Sequence, residues 1–146
     1  MSEYAARNIL VTGGTGYIGV HTIVSLLESG YDITVVDNLV NSSELGLARA
    51  IEITGADKSR VRFFKVDMTD AVAFENVFQN SPRFAACIHF AGLKSVGESV
   101  RKPLLYYANN IDSTVILLEL MDKYNCNSII FSSSATVSEC ISFDLT

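Results

Sequence analysis

The sequence predicts an α/β fold, a doubly wound parallel sheet with helices on both faces. Two observations predict this class. Short apolar runs rich in β-branched residues alternate with longer segments whose apolar residues recur at helical spacing. Strands separated in this way require parallel pairing through right-handed crossovers. The length of 146 residues, with 49% hydrophobic and 18% charged residues, suits one globular domain with its own core.

The predicted strands are short and mostly apolar. They are Asn8–Thr12, Ile33–Val36, Val61–Val66, Ala86–Phe90 and Ser128–Phe131. Such nearly continuous apolar runs are typical of strands that helices cover on both faces. The expected order across the sheet is 3-2-1-4-5, which places the first strand in the centre and the fifth at an edge.

The first two helices are predicted from apolar spacing. The residues that mark the first helix, Tyr17–Ser29, are Val20, Val24 and Leu27. Gly30 supplies the C-terminal stop of this helix. The second helix, Glu44–Ile53, has a weaker apolar face.

The later helices carry clearer start signals. Asp70 can cap a third helix, because its side chain can accept a hydrogen bond from the first helical turn. The apolar residues of that helix are Phe74, Val77 and Phe78. Pro103 opens a long fourth helix, since proline is favoured at the first helical position. Its expected inward stripe consists of Tyr107, Ile111, Thr114, Leu118 and Met121.

Charge and cysteine content narrow the function classes. The net charge is -5 and the eleven basic residues form no run longer than Arg101-Lys102, so nucleic acid is not an expected partner. Three cysteines without CxxC spacing fit a reducing compartment and no zinc or other metal site. Glu119 interrupts the apolar stretch Val115–Met121, and no signal peptide is recognised. The expectation is a cytoplasmic protein without a membrane partner.

A glycine motif follows the first strand. Residues 12–19 read T-G-G-T-G-Y-I-G, with Gly13, Gly16 and Gly19 spaced by three. Glycines allow a tight strand-to-helix turn and let the backbone approach a pyrophosphate, which then lies on the helix N-terminus. Asp37 ends the second strand, where a carboxylate can accept from both ribose hydroxyls and repel a 2′-phosphate. The pattern predicts dinucleotide binding, with NAD preferred to NADP. The alternative is a glycine-rich turn without a ligand.

Further stretches carry a resemblance to a known family. They read D-N-L-x-N-S at 37–42, H-F-A-G-L-K-S-V-G-E-S at 89–99, Y-Y-A-N-N at 106–110 and S-S-S-A-T-V at 132–137. With the glycine motif they resemble the extended short-chain dehydrogenase/reductase superfamily, and within it the UDP-glucose 4-epimerase (UDP-galactose 4-epimerase) family. The resemblance implies a Rossmann-like NAD-binding domain at 1–137, incomplete because the sheet stops after its fifth strand.

The family's chemistry gives the expected activity. The resemblance implies an isomerase of galactose metabolism that epimerises C4 of UDP-glucose and UDP-galactose, with a homodimer as one possible state of the full-length family. Hydride passes from the sugar to a tightly held NAD and returns to the other face, so the cofactor carries the chemistry. The cofactor-binding residues that the resemblance implies are Gly13, Gly16, Tyr17, Ile18, Gly19, Asp37, Asn38, Asn41, Ser42, Asp67, Met68, Phe90, Ala91, Gly92, Lys94, Asn109 and Ser132. Ser134 is the implied catalytic residue, which would hydrogen-bond the sugar 4-hydroxyl.

Several of these residues have plain structural alternatives. Asp67 could simply cap a helix, and Lys94 could be a solvated loop charge. The segment Ser132–Ser134 could be a polar strand end. His21 and His89 are interpreted as packing or surface histidines rather than as catalysts.

The resemblance ends at Ser138. The family continues into Tyr-Gly and later presents Tyr-x-x-x-Lys, which supplies the proton-transfer tyrosine and its lysine. In this sequence no tyrosine follows Tyr124 and no lysine follows Lys123. The hypothesis is a truncated, catalytically incomplete epimerase with a divergent tail at 138–146. Two alternatives stay open: an inert or regulatory NAD-binding fragment, and another nucleotide-sugar dehydratase or decarboxylase.

Overall fold

A computed structural model describes residues 7–133 of the chain. Five parallel strands form one sheet in the order β3-β2-β1-β4-β5. The strands are β1 Asn8–Thr12, β2 Asp32–Asp37, β3 Val61–Lys65, β4 Phe84–His89 and β5 Ile129–Phe131. Both the predicted fold class and the predicted strand order are confirmed.

Helices cover the two faces of this sheet. They are α1 Tyr17–Glu28, α2 Leu45–Thr54, α3 Ala71–Gln79, α4 Val96–Arg101, α5 Pro103–Tyr107 and α6 Ser113–Lys123. A short 3₁₀ turn, Lys58–Arg60, precedes β3, and a π-helical turn, Ala108–Asp112, joins α5 to α6. Within residues 7–133, no helix combines the length and the apolar character that crossing a membrane requires.

The sheet separates two hydrophobic cores. Ile9 and Val11 of β1 pack with α1 and α2 on one face, and Leu10 packs with α3 and α6 on the other. This alternation arises because successive strand residues point to opposite faces. Leu10 and Val11 are fully buried, as the central position of β1 requires. The carboxyl end of β1 is therefore held rigidly from both sides.

The fourth helix runs without a break from Pro103 to Lys123 as predicted, but it contains a π-helical turn and buries a different face from the predicted one. It consists of α5, the π-helical turn and α6. Tyr107, Ile111 and Leu118 of the expected inward stripe are 63%, 50% and 47% exposed, whereas Met121 is buried as expected. The buried residues of α6 are Ser113, Leu117, Leu120 and Met121. A π-helical turn places an extra residue in the turn, so a stripe extrapolated from Pro103 at normal helical spacing loses its register.

The fifth strand exists where the sequence predicts it, but it is not buried. Ile129, Ile130 and Phe131 are 38%, 62% and 59% exposed. Within the described chain, β5 pairs only with β4 and forms an edge of the sheet. The predicted tail at 138–146 and Ser134 lie outside the described residues.

Candidate functional site

A cavity of about 390 Å³ lies beside the carboxyl ends of β1, β2 and β4. These strands meet where the strand order reverses, because β1 has β2 on one side and β4 on the other. Ligands of open α/β sheets bind in the crevice at this switch point. The predicted cofactor residues that line it are Gly13, Gly16, Tyr17, Ile18, Gly19, Asp37, Asn38, Asn41, Asp67, Met68, Phe90, Ala91, Gly92, Lys94 and Asn109. Ser42 and Ser132 are the two that do not.

The glycine turn is shaped by close backbone contacts. Gly13 has a φ of 66°, and a Cβ placed there would lie 2.6 Å from the backbone nitrogen of Ala91. A Cβ on Gly19 would lie 2.7 Å from the carbonyl oxygen of Gly13. These two positions exclude side chains, because the turn packs against the loop after β4 and the helix packs against the turn. Glycine is thus required by the fold before any ligand is considered.

The N-terminus of α1 opens into the cavity. Gly16 is the N-cap and supplies no side-chain cap, and Tyr17 and Ile18 line the cavity at the first helical positions. The first N–H groups of a helix have no partner within it. Unpaired amides and the positive end of the helix dipole together favour a phosphate or another anion.

The carboxylate of Asp37 ties the glycine turn to the loop after β2. It accepts hydrogen bonds from the Thr15 N–H at 3.2 Å, the Leu39 N–H at 2.9 Å and the Ser42 hydroxyl at 3.0 Å. A carboxylate offers about four acceptor positions, so three protein donors leave room for one more hydrogen bond. Ser42 thus contacts Asp37 and does not line the cavity. A second ribose hydroxyl would have to displace one of these donors.

Asp67 stands at the rim of the cavity opposite Asn38. Its carboxylate accepts from the Thr69 N–H at 3.0 Å and from the Thr69 hydroxyl at 2.7 Å, and the Asn38 amide approaches at 3.4 Å. These hydrogen bonds, led by the backbone one, hold the pKa of Asp67 below its usual value. The alternative that Asp67 caps α3 is wrong, since Asp70 is the cap and accepts from the Ala73 N–H at 3.0 Å.

The loop after β4 is clamped by an asparagine that sequence analysis did not single out. The Asn110 side chain accepts from the Leu93 N–H at 2.8 Å and donates to the Leu93 carbonyl at 3.0 Å. The Asn109 side chain donates to the same Asn110 oxygen at 2.9 Å and lines the cavity. Lys94, next along the loop, is exposed at the cavity wall, and no carboxylate of residues 7–133 pairs with it. An exposed lysine therefore contributes to the cavity wall.

Comparison with known proteins decides the family. The family model described as the NAD dependent epimerase/dehydratase family matches residues 9–139. This chain belongs to that family. Membership confirms the resemblance drawn from the sequence, and it confirms NAD as the family's cofactor.

Two curated relatives show which members of the epimerase/dehydratase family this chain resembles. UDP-glucose 4-epimerase 2 of Arabidopsis thaliana is 55% identical over 132 residues, which cover 90% of this chain and 37% of the relative. The UDP-glucose 4-epimerase of Bacillus subtilis is 57% identical over 129 residues, which cover 88% of this chain and 37% of the relative. The chain thus spans little more than a third of the length of the curated relatives that it matches.

Solved structures of the family agree with the fold. The UDP-glucose 4-epimerase from Bifidobacterium longum in complex with NAD+ and UDP superposes with a TM-score of 0.83 at 50% identity, covering 89% of this chain and 38% of that one. The enzyme from Stenotrophomonas maltophila, with bound NAD and formylated UDP-arabinopyranose, gives a TM-score of 0.82 at 39% identity. That match covers 92% of this chain and 40% of the other.

Of the serine-rich segment Ser132–Ser134, the structure describes Ser132 and Ser133. The Ser132 N–H donates to the His89 carbonyl at 3.1 Å, which continues the pairing of β5 with β4. Ser132 is half-buried and lies outside the cavity lining. The predicted catalytic Ser134 falls beyond the last described residue, Ser133.

The two histidines have different surroundings. His21 is exposed on α1, with its ring centroid 4.7 Å from that of Tyr17. His89 is buried, and both of its ring nitrogens are hydrogen-bonded to threonine hydroxyls. Burial lowers the pKa of His89 to about 4, so its imidazole is neutral near pH 7. Within residues 7–133, no group of three or more histidine, cysteine, aspartate or glutamate side chains is placed to hold a metal ion.

Proposed function

We propose that this chain is the NAD-binding part of a UDP-glucose 4-epimerase. The observation that carries the proposal is the convergence of the glycine turn, the uncapped start of α1 and Asp37 on one switch-point cavity. NAD supplies the hydride acceptor and donor, and the residues of this chain hold it in place. The Bifidobacterium longum enzyme, half of whose aligned residues are identical, was solved with NAD+ and UDP.

The pyrophosphate, the adenosine ribose and the adenine each have a suitable partner in the cavity. The backbone amides of Tyr17 and Ile18 would hold the pyrophosphate at the helix N-terminus, and Lys94 would add a positive charge. Asp37 would accept from the adenosine ribose, and Asp67 would lie near the adenine. A buried carboxylate such as Asp37 also disfavours the 2′-phosphate of NADP, because two negative charges would be forced together.

Calorimetric titration of the 146-residue chain with NAD and with NADP tests this proposal. We expect NAD to bind more tightly, and we expect Asp37→Ala to weaken NAD binding by about 1–3 kcal/mol, the range for a lost charge-assisted hydrogen bond. Asp57→Ala is the matched control, since Asp57 caps the exposed 3₁₀ turn away from the cavity. Equal affinities for NAD and NADP in the unaltered chain would contradict the assignment.

For this chain by itself we propose NAD binding without epimerisation. The supporting observations are that the chain spans 37% of the length of the Arabidopsis thaliana relative and that these 146 residues contain no Tyr-x-x-x-Lys to supply the family's base. General-base catalysis alone is typically worth ~10²–10⁴-fold in rate. The folded chain, given NAD and UDP-galactose, should form no UDP-glucose above background. Turnover in protein free of contaminating epimerase would contradict this second candidate, the NAD-binding fragment.

We propose that the chain forms a homodimer through the surface of α5, the π-helical turn and α6. Exposed apolar residues on α5, the π-helical turn and α6 support it: Leu104, Tyr107, Ile111, Val115 and Leu118. Several exposed apolar residues on one helical segment are typical of association surfaces. Sedimentation should show a dimer that Leu118→Glu dissociates, while Ile53→Glu on α2 leaves it intact. A monomer at all concentrations would contradict the proposal.

We also propose that the protein resides in the cytoplasm. Cys87 and Cys126 support this location, because both are buried free thiols. Imaging of a fluorescent fusion would test the location, and a signal confined to a secretory compartment would contradict it.

A further inference from the structure

His89 joins three cavity-lining segments through one chain of hydrogen bonds. Its Nδ1 lies 2.6 Å from the Thr12 hydroxyl, and its Nε2 lies 3.1 Å from the Thr114 hydroxyl. The Thr114 hydroxyl donates to the Asn110 carbonyl at 2.7 Å, and the Ala91 N–H approaches the Thr12 oxygen at 3.4 Å. The chain therefore runs from the loop after β4, through β1 and β4, to the π-helical turn.

The direction of every bond in this chain is fixed. The Thr114 hydroxyl has one proton, which goes to the Asn110 carbonyl, so its oxygen must accept from the N–H at Nε2 of His89. A neutral imidazole has only one N–H, which leaves Nδ1 bare. The Thr12 hydroxyl must then donate to Nδ1. Only one tautomer of His89 satisfies all its partners.

The ends of this chain reach the residues around the cofactor cavity. Thr12 directly precedes Gly13 of the glycine turn, and His89 directly precedes the cavity-lining segment Phe90–Lys94. Asn110 clamps Leu93 in that same segment. His89 itself does not line the cavity, so its effect on a bound molecule must pass through these neighbours.

We propose that His89, as its neutral Nε2–H tautomer, is a positioning residue for the dinucleotide. It sets the placement of the glycine turn, the loop after β4 and the π-helical turn relative to one another. The proposal rests on the NAD binding proposed above and adds a residue that acts from behind the cavity wall. A buried polar network whose members are all satisfied holds its elements in one arrangement, which preorganises the site.

The tautomer can be read by nitrogen NMR of the uniformly labelled chain. The sequence has two histidines, so His21→Gln assigns both sets of ring signals. We expect Nε2 of His89 to show the shift of a protonated nitrogen and Nδ1 that of a bare one, unchanged as the pH falls from about 8 to about 6. A protonated Nδ1, or rapid exchange between tautomers, would overturn the proposal.

Threonine variants separate positioning from general stability. Thr12→Val and Thr114→Val each remove one hydroxyl from the chain of bonds at nearly constant volume. We expect each to weaken NAD binding on the order of tenfold, which corresponds to about 1.4 kcal/mol. Thr34→Val is the control matched to Thr12→Val, because Thr34 is as fully buried as Thr12 and lies on the same sheet, but its hydroxyl donates to Asn8, far from the cavity, at 3.1 Å.

The affinities are measured by calorimetry at temperatures where each variant is shown to be folded. Thr34→Val should bind NAD as the unaltered chain does, even where its melting temperature is lower. NAD affinity unchanged in both Thr12→Val and Thr114→Val would overturn the positioning role alone, and so would an equal loss in Thr34→Val. Failure of the unaltered chain to bind NAD would instead refute the proposed function, and the nitrogen shifts would still report the tautomer.

Discussion

β1 and β5 are apolar strands of the same sheet, yet they differ completely in burial. Leu10 and Val11 of β1 are fully buried, whereas Ile130 and Phe131 of β5 are 62% and 59% exposed. Within residues 7–133, β1 pairs with two strands and packs against helices on both faces, whereas β5 pairs with β4 alone. The difference teaches that position in the sheet, rather than composition, decides what an apolar run contributes.

The same contrast appears in the chemistry at the two strand ends. The glycines that shape the turn after β1, Gly13 to Gly19, lie close together in sequence, although the turn also packs against Ala91. The region after β4 depends on distant partners, because Asn110 of the π-helical turn holds Leu93. Substitutions in the two regions should therefore differ in the size of their effect and in the property that they change.

The largest effect is expected from Gly13→Ala. The new Cβ would lie 2.6 Å from the Ala91 nitrogen at a φ of 66°, so it adds a backbone clash to left-handed strain. We expect a loss of about 4 kcal/mol in the free energy of unfolding, together with loss of NAD binding. Gly30→Ala is the control, since Gly30 has a φ of 85° but no atom within 4 Å of its Cβ position. It should cost only about 1–2 kcal/mol. Equal losses in urea unfolding would show that the contact with Ala91 is unimportant.

A second pair of variants tests the strand comparison directly. Leu10→Ala should lower the free energy of unfolding by about 2–5 kcal/mol, because it leaves a cavity in a packed core. Ile130→Ala should cost less than about 1 kcal/mol, since its side chain is already largely in water. Urea unfolding of both variants provides the measurement. Similar losses would mean that β5 is covered in solution.

Asn110→Ala examines the loop after β4. Removal of the amide leaves the N–H and the carbonyl of Leu93 without their partner, which should cost about 1–3 kcal/mol in the free energy of unfolding. Asn76→Ala, on the exposed surface of α3, is the control and should change that free energy by less than about 0.5 kcal/mol. Thermal unfolding of the two variants measures both changes in the free energy of unfolding. A loss no greater than that of the control would show that the clamp contributes nothing.

The smallest effect concerns the pH dependence from Asp67. Hydrogen bonds from Thr69 lower its pKa in the folded chain below the ordinary value of 3.8, so the fold favours the carboxylate. Its contribution is complete above the unfolded-state pKa and is lost as the pH falls through the lowered folded-state pKa. Asp67→Asn should cost less than about 1 kcal/mol at pH 7, because the group is largely exposed. The difference from the unaltered chain should shrink in urea titrations below about pH 4. A difference that grows in acid would contradict the assigned cause.

The sequence predicts β1, the glycine turn and the start of α3 well, because the signals for these elements are local. The apolar run of β1, the glycine spacing and the Asp70 cap each depend on neighbours within one turn or strand. The cavity lining was predicted through the family resemblance, and the structure brings those residues together. The roles assigned to them in cofactor binding stay predictions.

The segment from the loop after β4 to α6 could not be predicted in the same way. The π-helical turn, Ala108–Asp112, shifts the buried face of α6, and nothing in apolar spacing marks the extra residue. The clamp by Asn110 and the pairing of His89 with Thr114 join residues 17 and 25 positions apart. Such contacts exist only once the sheet and helices have assembled. The adjacent asparagines in Y-Y-A-N-N were the one local signal of a hydrogen-bonding contact in this segment.

The measurement that tests the central claim most directly is backbone-amide NMR of the chain titrated with NAD. The account predicts that the largest shift changes fall at Tyr17 and Ile18, at the Asp37–Asn41 loop and at the Phe90–Lys94 segment, because these line one cavity. Amides at the opposite, amino-terminal end of the sheet should stay unchanged. Shift changes confined to that opposite end, around Arg7 and Arg62, would contradict the claim that the switch-point cavity is the cofactor site.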